Sequence, residues 1–348
     1  WSKLASMRVL ALVLLVVLAG GCKRAGGMVD PTDPTAAPAC PEGAPHLTVG
    51  ATPTSSSEDA ALLRFDRNLR PCRGLALSTL GLEGTSQLDA VVGLPDGSEV
   101  VAVSGYSAAR LVRVSGSSRV WAVERPDGRE IVLGLSAVTF RGELAIAVVW
   151  GEDHGSGTSA SSMMFVRAAD GAELGAYEAQ YETTFAGPAP SGQPGRVGAL
   201  MLWDGIQEYR DDGGESLGTT GEMQIASPRP AGQLRGFVSR GGRTIAGGRS
   251  GVLSWSVGLP AAFLGPARCV WPATQTSPLP AEEGVEYRAV EQDLDREAGA
   301  LALVEGPLAM DDGTDTHLFR ISMRGECERV VSIGDTHRAR YMSWAGVP

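Results

Sequence analysis

The sequence predicts an all-β fold made of many short antiparallel strands. Glycine accounts for 46 of the 348 residues, and it separates short runs of Val, Ile, Leu and Ala. Short apolar runs separated by glycine turns are typical of proteins built from β-hairpins. The hydrophobic content of 43% is ordinary for a globular protein. A turn phrase that recurs along the chain indicates in addition that the strands are grouped into repeated units.

Residues 1–21 have the layout of an export signal rather than of a folded element. Lys3 and Arg8 supply positive charge, and Val9–Leu18 is an unbroken apolar run. Three small residues then precede Cys22. The apolar run is shorter than the roughly 20 residues that a membrane-spanning helix needs. A retained N-terminal anchor helix is the alternative interpretation.

This segment resembles the signal peptides of bacterial lipoproteins, with one extra glycine ahead of the cysteine. The resemblance implies that the Cys22 thiol is lipidated and that its acyl chains anchor the protein in a membrane. Lys23 stands where lipoproteins retained in the inner membrane of Gram-negative bacteria often carry aspartate. We therefore expect a lipoprotein of the Gram-negative cell envelope, in the outer rather than the inner membrane, with its folded part periplasmic or surface-exposed.

Residues 22–46 predict a flexible, lipid-anchored tether. The segment is rich in Pro, Ala, Gly and Thr and offers little apolar surface to bury, so it favours an extended chain over a folded unit. Such a tether would hold the folded part of the protein away from the membrane.

Residues 47–84 predict an N-terminal cap, which begins with a strand candidate at Leu47–Val49. The stretch Glu58–Leu69 predicts a short helix in this cap. Leu62, Phe65 and Leu69 have the i, i+3, i+7 spacing that places side chains on one helical face.

Four cysteines remain after Cys22, and an even number in an exported protein indicates disulfides. Three pairings are possible, and pairing of near neighbours favours Cys40–Cys72 and Cys269–Cys327. The alternative is that one or more of these residues are buried free thiols.

Residues 85–348 predict the main domain, in which short apolar strands alternate with glycine turns. Clear strand candidates are Val100–Val103, Arg110–Val114, Leu144–Trp150 and Met163–Val166. The tryptophans of this region fall in or beside such strands, where packing between strands is their expected role.

A phrase that starts with Asp-Gly and leads into a strand begins at Asp96, Asp127, Asp170 and Asp212. Asp-Gly favours a type I′ hairpin turn, in which both central residues have positive φ. The intervals are 31, 43 and 42 residues, and a recurrence at about 40 residues is typical of the four-stranded blade of a β-propeller. Chance recurrence in a glycine-rich β protein is the alternative.

The segment Phe165–Leu174 resembles the repeat of quinoprotein-like β-propellers, and Arg110–Trp121 is a looser match. Gly175 stands where that family carries a docking tryptophan. The resemblance implies a β-propeller-like domain of about five to seven four-stranded blades. It also implies a scaffold role, since lipid-anchored propellers of this kind assist outer-membrane barrel assembly. Stacked β-sandwich modules are the alternative architecture. The adjacent cysteine pair of the quinone-dependent enzymes is absent, so no cofactor is expected.

The formal net charge of −10 disfavours a nucleic-acid partner, because nucleic-acid binding depends on Lys and Arg side chains that neutralise phosphates. The same charge disfavours broad adhesion to anionic lipid. We therefore expect contact with the membrane through the acyl chains, and no nucleic-acid partner.

Glu152, Asp153 and His154 form a cluster of side chains that can act as acids, bases or metal ligands, and they lie in a predicted loop between two strands. They make this loop a candidate binding loop. They also define the alternative function, an envelope hydrolase or metal-assisted enzyme centred on His154. Neighbouring residues in a chain point in different directions, however, so a solvated loop is the simpler interpretation and no catalytic residue is assigned.

Other partial motifs lack the neighbouring elements or ligands that their usual functions require. Ser216 lies in a Gly-x-Ser-x-Gly string without the strand and helix of a nucleophile elbow. Asp293–Asp295 and Asp311–Asp315 lack the full set of oxygen ligands of a calcium loop, and no metal site is assigned.

The sequence therefore predicts a non-enzymatic binding or scaffold module with a protein or glycan partner. The loops Gly151–Ser162 and Gly187–Arg196 are the expected contact surfaces.

Overall fold

The protein is all-β in the residues that the structure describes. The computed structural model describes residues 28–29, 33–55, 58–82, 85–105, 109–125, 130–153, 158–178, 185–189, 195–201, 205–212, 216–220, 234–240, 243–248, 251–256, 262–263, 286–296, 299–307, 314–322, 327–333 and 336–347. These residues contain 25 strands and no α-helix, with one 3₁₀ turn at Leu77–Leu80. No helix among them has the length and apolar character needed to cross a membrane.

The described residues form six sheets, each with four antiparallel strands, and we number them from sheet 1 to sheet 6 along the chain. Sheet 1 contains β2 (His46–Pro53), β3 (Ala61–Asp66), β4 (Pro71–Ala76) and β25 (His337–Ala345). Sheet 2 contains β5 (Thr85–Gly93), β6 (Glu99–Gly105), β7 (Ala109–Ser115) and β8 (Ser118–Arg125). Sheet 3 contains β9 (Glu130–Phe140), β10 (Glu143–Asp153), β11 (Thr158–Arg167) and β12 (Glu173–Glu178).

The remaining three sheets repeat this pattern. Sheet 4 contains β13 (Phe185–Ala189), β14 (Arg196–Met201), β15 (Gly205–Arg210) and β16 (Ser216–Thr220). Sheet 5 contains β17 (Leu234–Arg240), β18 (Arg243–Gly248), β19 (Gly251–Ser256) and β20 (Ala262–Phe263). Sheet 6 contains β21 (Glu286–Gln292), β22 (Ala300–Pro307), β23 (Thr314–Ile321) and β24 (Cys327–Ile333), and a short parallel strand β1 (Met28–Val29) pairs with β24.

Sheet 1 joins two distant parts of the chain, because β25 pairs with β2 and stands at one edge of the order β25-β2-β3-β4. Apart from the short strand β1, the other five sheets keep their sequence order, so the first of their four antiparallel strands stands at one edge. These edge strands contact one another in the pairs β25–β5, β5–β9, β9–β13, β17–β21 and β21–β25. The predicted all-β fold of four-stranded units is therefore confirmed.

The predicted helix at Glu58–Leu69 is wrong, because this stretch contains β3 and a turn. Both faces of β3 are buried. Leu63 and Phe65 pack in a cluster with residues of sheet 6, whereas Leu62 packs in a cluster with residues of sheet 2. A strand enclosed on both sides buries consecutive apolar residues, and here that run happens to include the helical spacing. Since β3 belongs to sheet 1, the predicted cap 47–84 is part of the same sheet as β25.

The predicted Cys40–Cys72 disulfide is confirmed, with a Cα–Cα distance of 5.0 Å. Near this bond the backbone N–H groups of Arg73 and Gly74 donate to the carbonyl oxygens of Pro38 and Pro34, at 2.5 Å each. The stretch Pro34–Pro38 of the predicted tether thus lies along the outer edge of β4, whereas Met28–Val29 pair with β24 of sheet 6. Cys269 lies outside the described residues, so the Cys269–Cys327 pair stays a prediction.

The Asp-Gly phrases at Asp96 and Asp170 form turns, but the predicted type I′ geometry is wrong at both. Only the glycine has positive φ, 84° at Gly97 and 79° at Gly171. Each aspartate carboxylate instead accepts the backbone N–H two residues further on, at 3.0 Å. Asp170 and Asp212 each follow the third strand of their sheets, so these two phrases occupy equivalent positions in sheets 3 and 4. Asp96 follows the first strand of sheet 2 and is not equivalent to them, and Asp127 lies outside the described residues.

Candidate binding cleft

The predicted binding loop is largely a hairpin. Glu152 and Asp153 end β10 and pair with Ser159 and Thr158 of β11. His154 lies outside the described residues. The second predicted loop is also partly strand, since Gly187 belongs to β13 and Arg196 begins β14.

The three described histidines lie at separate places in the fold. His46 Nε2 is 2.8 Å from Glu99 Oε1, and His337 Nε2 is 3.0 Å from the Asp59 carbonyl oxygen. His317 Nδ1 is 2.9 Å from Ser332 Oγ. Burial, with a smaller effect from the charge of Arg329, lowers the pKa of His317 to about 4.

Two of the three other partial motifs lie within the described residues, whereas the third begins at Asp311, which lies outside them. Ser216 is the first residue of β16 and pairs with Tyr209. The Asp293 carboxylate lies 2.7 Å from Arg320 Nε and accepts the backbone N–H of Asp295. The described parts of the chain contain no group of three or more His, Cys, Asp or Glu side chains placed to hold a metal ion.

A cleft of about 260 Å³ lies where β2, β5 and β25 meet. β25 contributes Arg338, Arg340 and Tyr341 to its lining. The end of β2 and the residue after it contribute Thr52, Pro53 and Thr54, and β5 contributes Gln87 and Leu88. The cleft therefore spans the junction between sheets 1 and 2.

Backbone pairing explains why these side chains meet. Thr52 lies opposite Arg338 in the β2–β25 ladder. Arg340 lies at a shift in the register of the same ladder, between Ala339 and Tyr341, and its side chain lines the cleft together with that of Arg338. The Thr52 hydroxyl joins the two sheets, since it accepts the Leu88 N–H at 3.3 Å and donates to the Leu88 carbonyl at 3.4 Å.

The two arginines share one carboxylate. Glu305, on β22 of sheet 6, lies 3.6 Å from Arg338 Nε and 3.9 Å from Arg340 Nε. The arginine side chains are 43% and 37% exposed, whereas the Glu305 side chain is 7% exposed. No acidic residue belongs to the described lining of the cleft. The three side chains together bring two positive charges and one negative charge to a surface opening of an acidic protein.

A buried ionic network lies elsewhere at the same sheet junction. Glu99 of β6 accepts hydrogen bonds from the Arg64 guanidinium at 2.8 and 3.0 Å and from the Thr48 hydroxyl at 2.8 Å. Burial opposes ionisation of Glu99, but the hydrogen bond from His46 and the charge of Arg64 outweigh burial and lower its pKa. This network ties β2 and β3 to β6 and faces inward.

Sequence reasoning did not find the cleft. The alternation Arg338-Ala-Arg340 in a strand could have indicated two arginines on one face. The contributions of Gln87 and Glu305 depend on β25 joining the first sheet, for which the sequence carries no local signal.

No protein-family model and no curated protein matches the chain. Among solved structures, the chain is similar to a protein of unknown function from Bacteroides caccae, with a TM-score of 0.53 and 11% identity over 87% of this chain and 99% of that one. At this identity the similarity concerns the fold alone. A structure titled Mitotic Checkpoint Complex matches at a TM-score of 0.43 and 11% identity over 91% of this chain and 82% of that one, which is too low to carry an argument.

Proposed function

We propose that this protein is a non-enzymatic, lipid-anchored binding module of the bacterial envelope, and that it holds a partner protein in the cleft between sheets 1 and 2. The cleft is the observation that carries this proposal. It combines two arginines, several neutral hydrogen-bonding side chains and two apolar side chains in one opening. Six of its eight lining residues are polar or charged, so the cleft offers a partner mainly hydrogen bonds and ionic contacts.

We propose in addition that the six sheets form a β-propeller-like ring, and such a ring would support this function. Contacts between edge strands run from sheet 1 to sheet 4 and from sheet 5 through sheet 6 back to sheet 1. Pairing of β25 with β2 places strands from two distant parts of the chain in one sheet, which would close such a ring. A ring of rigid sheets would keep the cleft in a fixed shape.

The junctions beside the cleft are packed closely enough to be rigid. A Cβ atom added to Gly93 of β5 would lie 2.2 Å from the Trp344 carbonyl oxygen of β25. The Trp344 indole N–H donates to the Gln292 carbonyl of sheet 6 at 2.7 Å. Sheets 6, 1 and 2 are thus held together by direct contacts of β25, and the cleft residues of β25 are fixed with them.

The lipid anchor rests on the signal-peptide resemblance that ends at Cys22. Incorporation of labelled palmitate into the full chain, abolished by Cys22→Ala, is the expected result. Labelling that persists in Cys22→Ala would refute lipidation at this residue.

The binding function can be tested with a photo-crosslinking amino acid in living cells. Gln87 is exposed at the cleft, and Val120 of β8 is 50% exposed elsewhere on sheet 2. We expect a probe at position 87 to give one discrete crosslinked protein, identified by mass spectrometry, and a probe at position 120 not to give it. The same products from both positions, or none from position 87, would contradict a partner at the cleft.

A further inference from the structure

We infer that the outer strands of sheets 6 and 1, β24 and β4, form the side of the protein that faces the lipid surface of the membrane. This inference rests on the proposed lipid anchor and specifies which surface of the folded part the anchor holds near the headgroups. The argument depends on where the chain that follows Cys22 first joins the folded part, and on how it is fixed there.

The chain that follows Cys22 joins the folded part at the outer side of sheet 6. Met28 and Val29 pair in parallel with Ser332 and Ile333 of β24. β24 stands at the opposite side of sheet 6 from β21, and β21 is the strand that contacts β25 of sheet 1. The anchored end of the chain therefore approaches the protein from its outer side, not from the strands that join the sheets.

The chain then runs along β4 of sheet 1 and is fixed to it. The carbonyl oxygen of Pro34 accepts the backbone N–H of Gly74 at 2.5 Å. Pro34 is buried, and a Cβ atom added to Gly74 would lie 2.9 Å from the Pro34 Cβ atom. The Cys40–Cys72 disulfide links the same stretch to β4 covalently. This stretch and the Met28–Val29 pair, which we together call the strap, are thus held on the outer strands of two sheets that contact each other.

The strap shortens the reach of the anchor. An acylated Cys22 lies at the membrane surface, because its acyl chains insert into the bilayer. A free chain from Cys22 to His46 could extend over about 80 Å, at about 3.3–3.6 Å per residue. With Met28 fixed, only six residue lengths remain, and they span at most about 20 Å in any conformation. The outer side of sheet 6 must therefore stay close to the lipid headgroups.

Charge does not explain such a close approach. The net charge of −10 opposes adhesion of the protein surface to anionic headgroups. A mechanical constraint such as the strap holds one side near the membrane without an attractive surface. The orientation should therefore be the same on neutral and on anionic lipid.

The strap also limits where a partner of the cleft can lie. The cleft is lined by β25, and β25 is separated from β24 by three strand spacings within sheet 6 and one contact between sheets. These distances add up to roughly 25 Å, at about 4.8 Å per strand spacing and about 10 Å between packed sheets. With a free reach of about 20 Å, the cleft stays within roughly 45 Å of the membrane. The partner must present its contact region in this layer.

The experiment measures energy transfer from a fluorescent amino acid in the full chain to acceptor dyes on lipid headgroups, in phosphatidylcholine vesicles. One protein carries the donor at Glu328 of β24, whose side chain is 46% exposed. The matched protein carries it at Leu144 of sheet 3, which is 41% exposed. We expect the donor at position 328 to lie within about 35 Å of the acceptors, the span of ten extended residues. Transfer from position 144 should be weaker.

A matched control changes the reach alone. Ten Gly and Ser residues inserted after Arg24 lengthen the free chain ahead of the strap, so transfer from position 328 should fall towards that from position 144. Equal transfer from the two positions in the chain without the insertion would overturn the inference. Transfer that the insertion leaves unchanged would also overturn it, because a contact other than the strap would then set the orientation.

The outcome can be separated from that of the proposed anchor. Equal transfer from both positions in a protein that incorporates palmitate at Cys22 would refute the orientation and leave the anchor standing. Stronger transfer from position 328 in a protein that incorporates no palmitate would refute lipidation and support the orientation. Repeating the measurement with phosphatidylglycerol in the vesicles should give the same difference between the two positions, and a difference found only with this anionic lipid would show adhesion by charge and overturn the inference.

Discussion

Glu99 and Glu305 have similar neighbours, but the distances to these neighbours and their exposure to solvent differ. Each carboxylate lies near two basic side chains from other strands. At Glu99 the partners Arg64 and His46 are 2.8 Å away and only 10% and 12% exposed. At Glu305 the partners Arg338 and Arg340 lie 3.6 and 3.9 Å away and are 43% and 37% exposed. The first group satisfies its charges internally and stabilises a sheet junction, whereas the second keeps its cations at the surface, where a ligand can reach them.

Asp89 of β5 shows what happens to a buried carboxyl with neutral partners. Its side chain accepts a hydrogen bond from Ser104 Oγ at 3.0 Å. Burial raises the pKa of Asp89 to about 7, although hydrogen bonds from Ser104, Val132 and Gln87 act in the opposite direction. Glu99 has the cationic partner Arg64 in addition to its hydrogen bonds, and its pKa is lowered instead.

Glu99→Gln should have the largest effect on stability. The substitution leaves Arg64 and His46 near a neutral amide in a buried setting, and breaking a buried ion pair costs about 3–5 kcal/mol. The free energy of unfolding, measured in urea at pH 7.5, should fall by that amount. Glu124→Gln, which removes an exposed carboxylate, is the control and should change it by less than about 0.5 kcal/mol. Equal effects of the two variants would show that the Glu99 network is not a stabilising junction.

Asp89→Asn should remove a pH dependence. The folded pKa of about 7 lies above the ordinary value of 3.8, so the folded protein binds more protons than the unfolded chain between these values. Wild-type stability due to Asp89 is therefore complete below about pH 4 and falls as the pH rises to about 7, by about 2–4 kcal/mol. The stability of Asp89→Asn relative to that of the wild type should therefore increase over this pH range and stay constant above about pH 7. Parallel stability curves for the two proteins would refute the raised pKa.

His317 changes stability with pH in the opposite direction, so its effect must be measured separately from that of Asp89. Its lowered pKa means that the unfolded chain binds the proton more strongly between about pH 4 and 6.5. Its contribution to stability is present above pH 6.5 and is lost as the pH falls to about 4. The two groups partly cancel in the wild type, so we expect His317→Gln to steepen the loss of stability with rising pH. A curve unchanged by His317→Gln would show that this histidine does not titrate in that window.

The parts of the fold that the sequence predicts are those with a local signal. Apolar runs such as Val100–Val103 and Leu144–Trp150 are strands, and the neighbouring pair Cys40–Cys72 is a disulfide. The helix at Glu58–Leu69 fails because burial on both faces of β3 comes from sheets 6 and 2, which are distant in sequence.

The cleft depends even more on contacts between residues that are distant in the sequence. Arg340 and Gln87 meet because β25 joins sheet 1 beside β5. Their separation in the sequence hides that pairing, because hydrophobic pattern and turn residues report only on local structure. The sequence instead drew attention to Glu152–His154, whose reactive residue types are adjacent in the chain.

Thr48→Val should have a moderate effect on the Glu99 network. The Thr48 hydroxyl is buried and donates to Glu99 Oε1 at 2.8 Å. Valine keeps the shape and removes one of several donors, so about 1–2 kcal/mol of stability should be lost. Urea denaturation measures this loss, and Thr79→Val, on the exposed 3₁₀ turn, serves as the control. A loss as large as that of Glu99→Gln would mean that the hydroxyl, not the arginine, holds the carboxylate.

Arg340→Gln should have the smallest effect on stability, and this result would complete the contrast between the two carboxylates. The Arg340 side chain is 37% exposed and its ion pair with Glu305 is 3.9 Å long. Solvent screens such a pair, so its loss should cost less than about 1 kcal/mol. The same variant should nevertheless reduce the yield of the partner protein that a photo-crosslinking probe at Gln87 captures. A residue that matters for binding and little for folding belongs to a ligand site, whereas a loss of several kcal/mol in urea would place Arg340 with Arg64 among the residues that hold the sheets together.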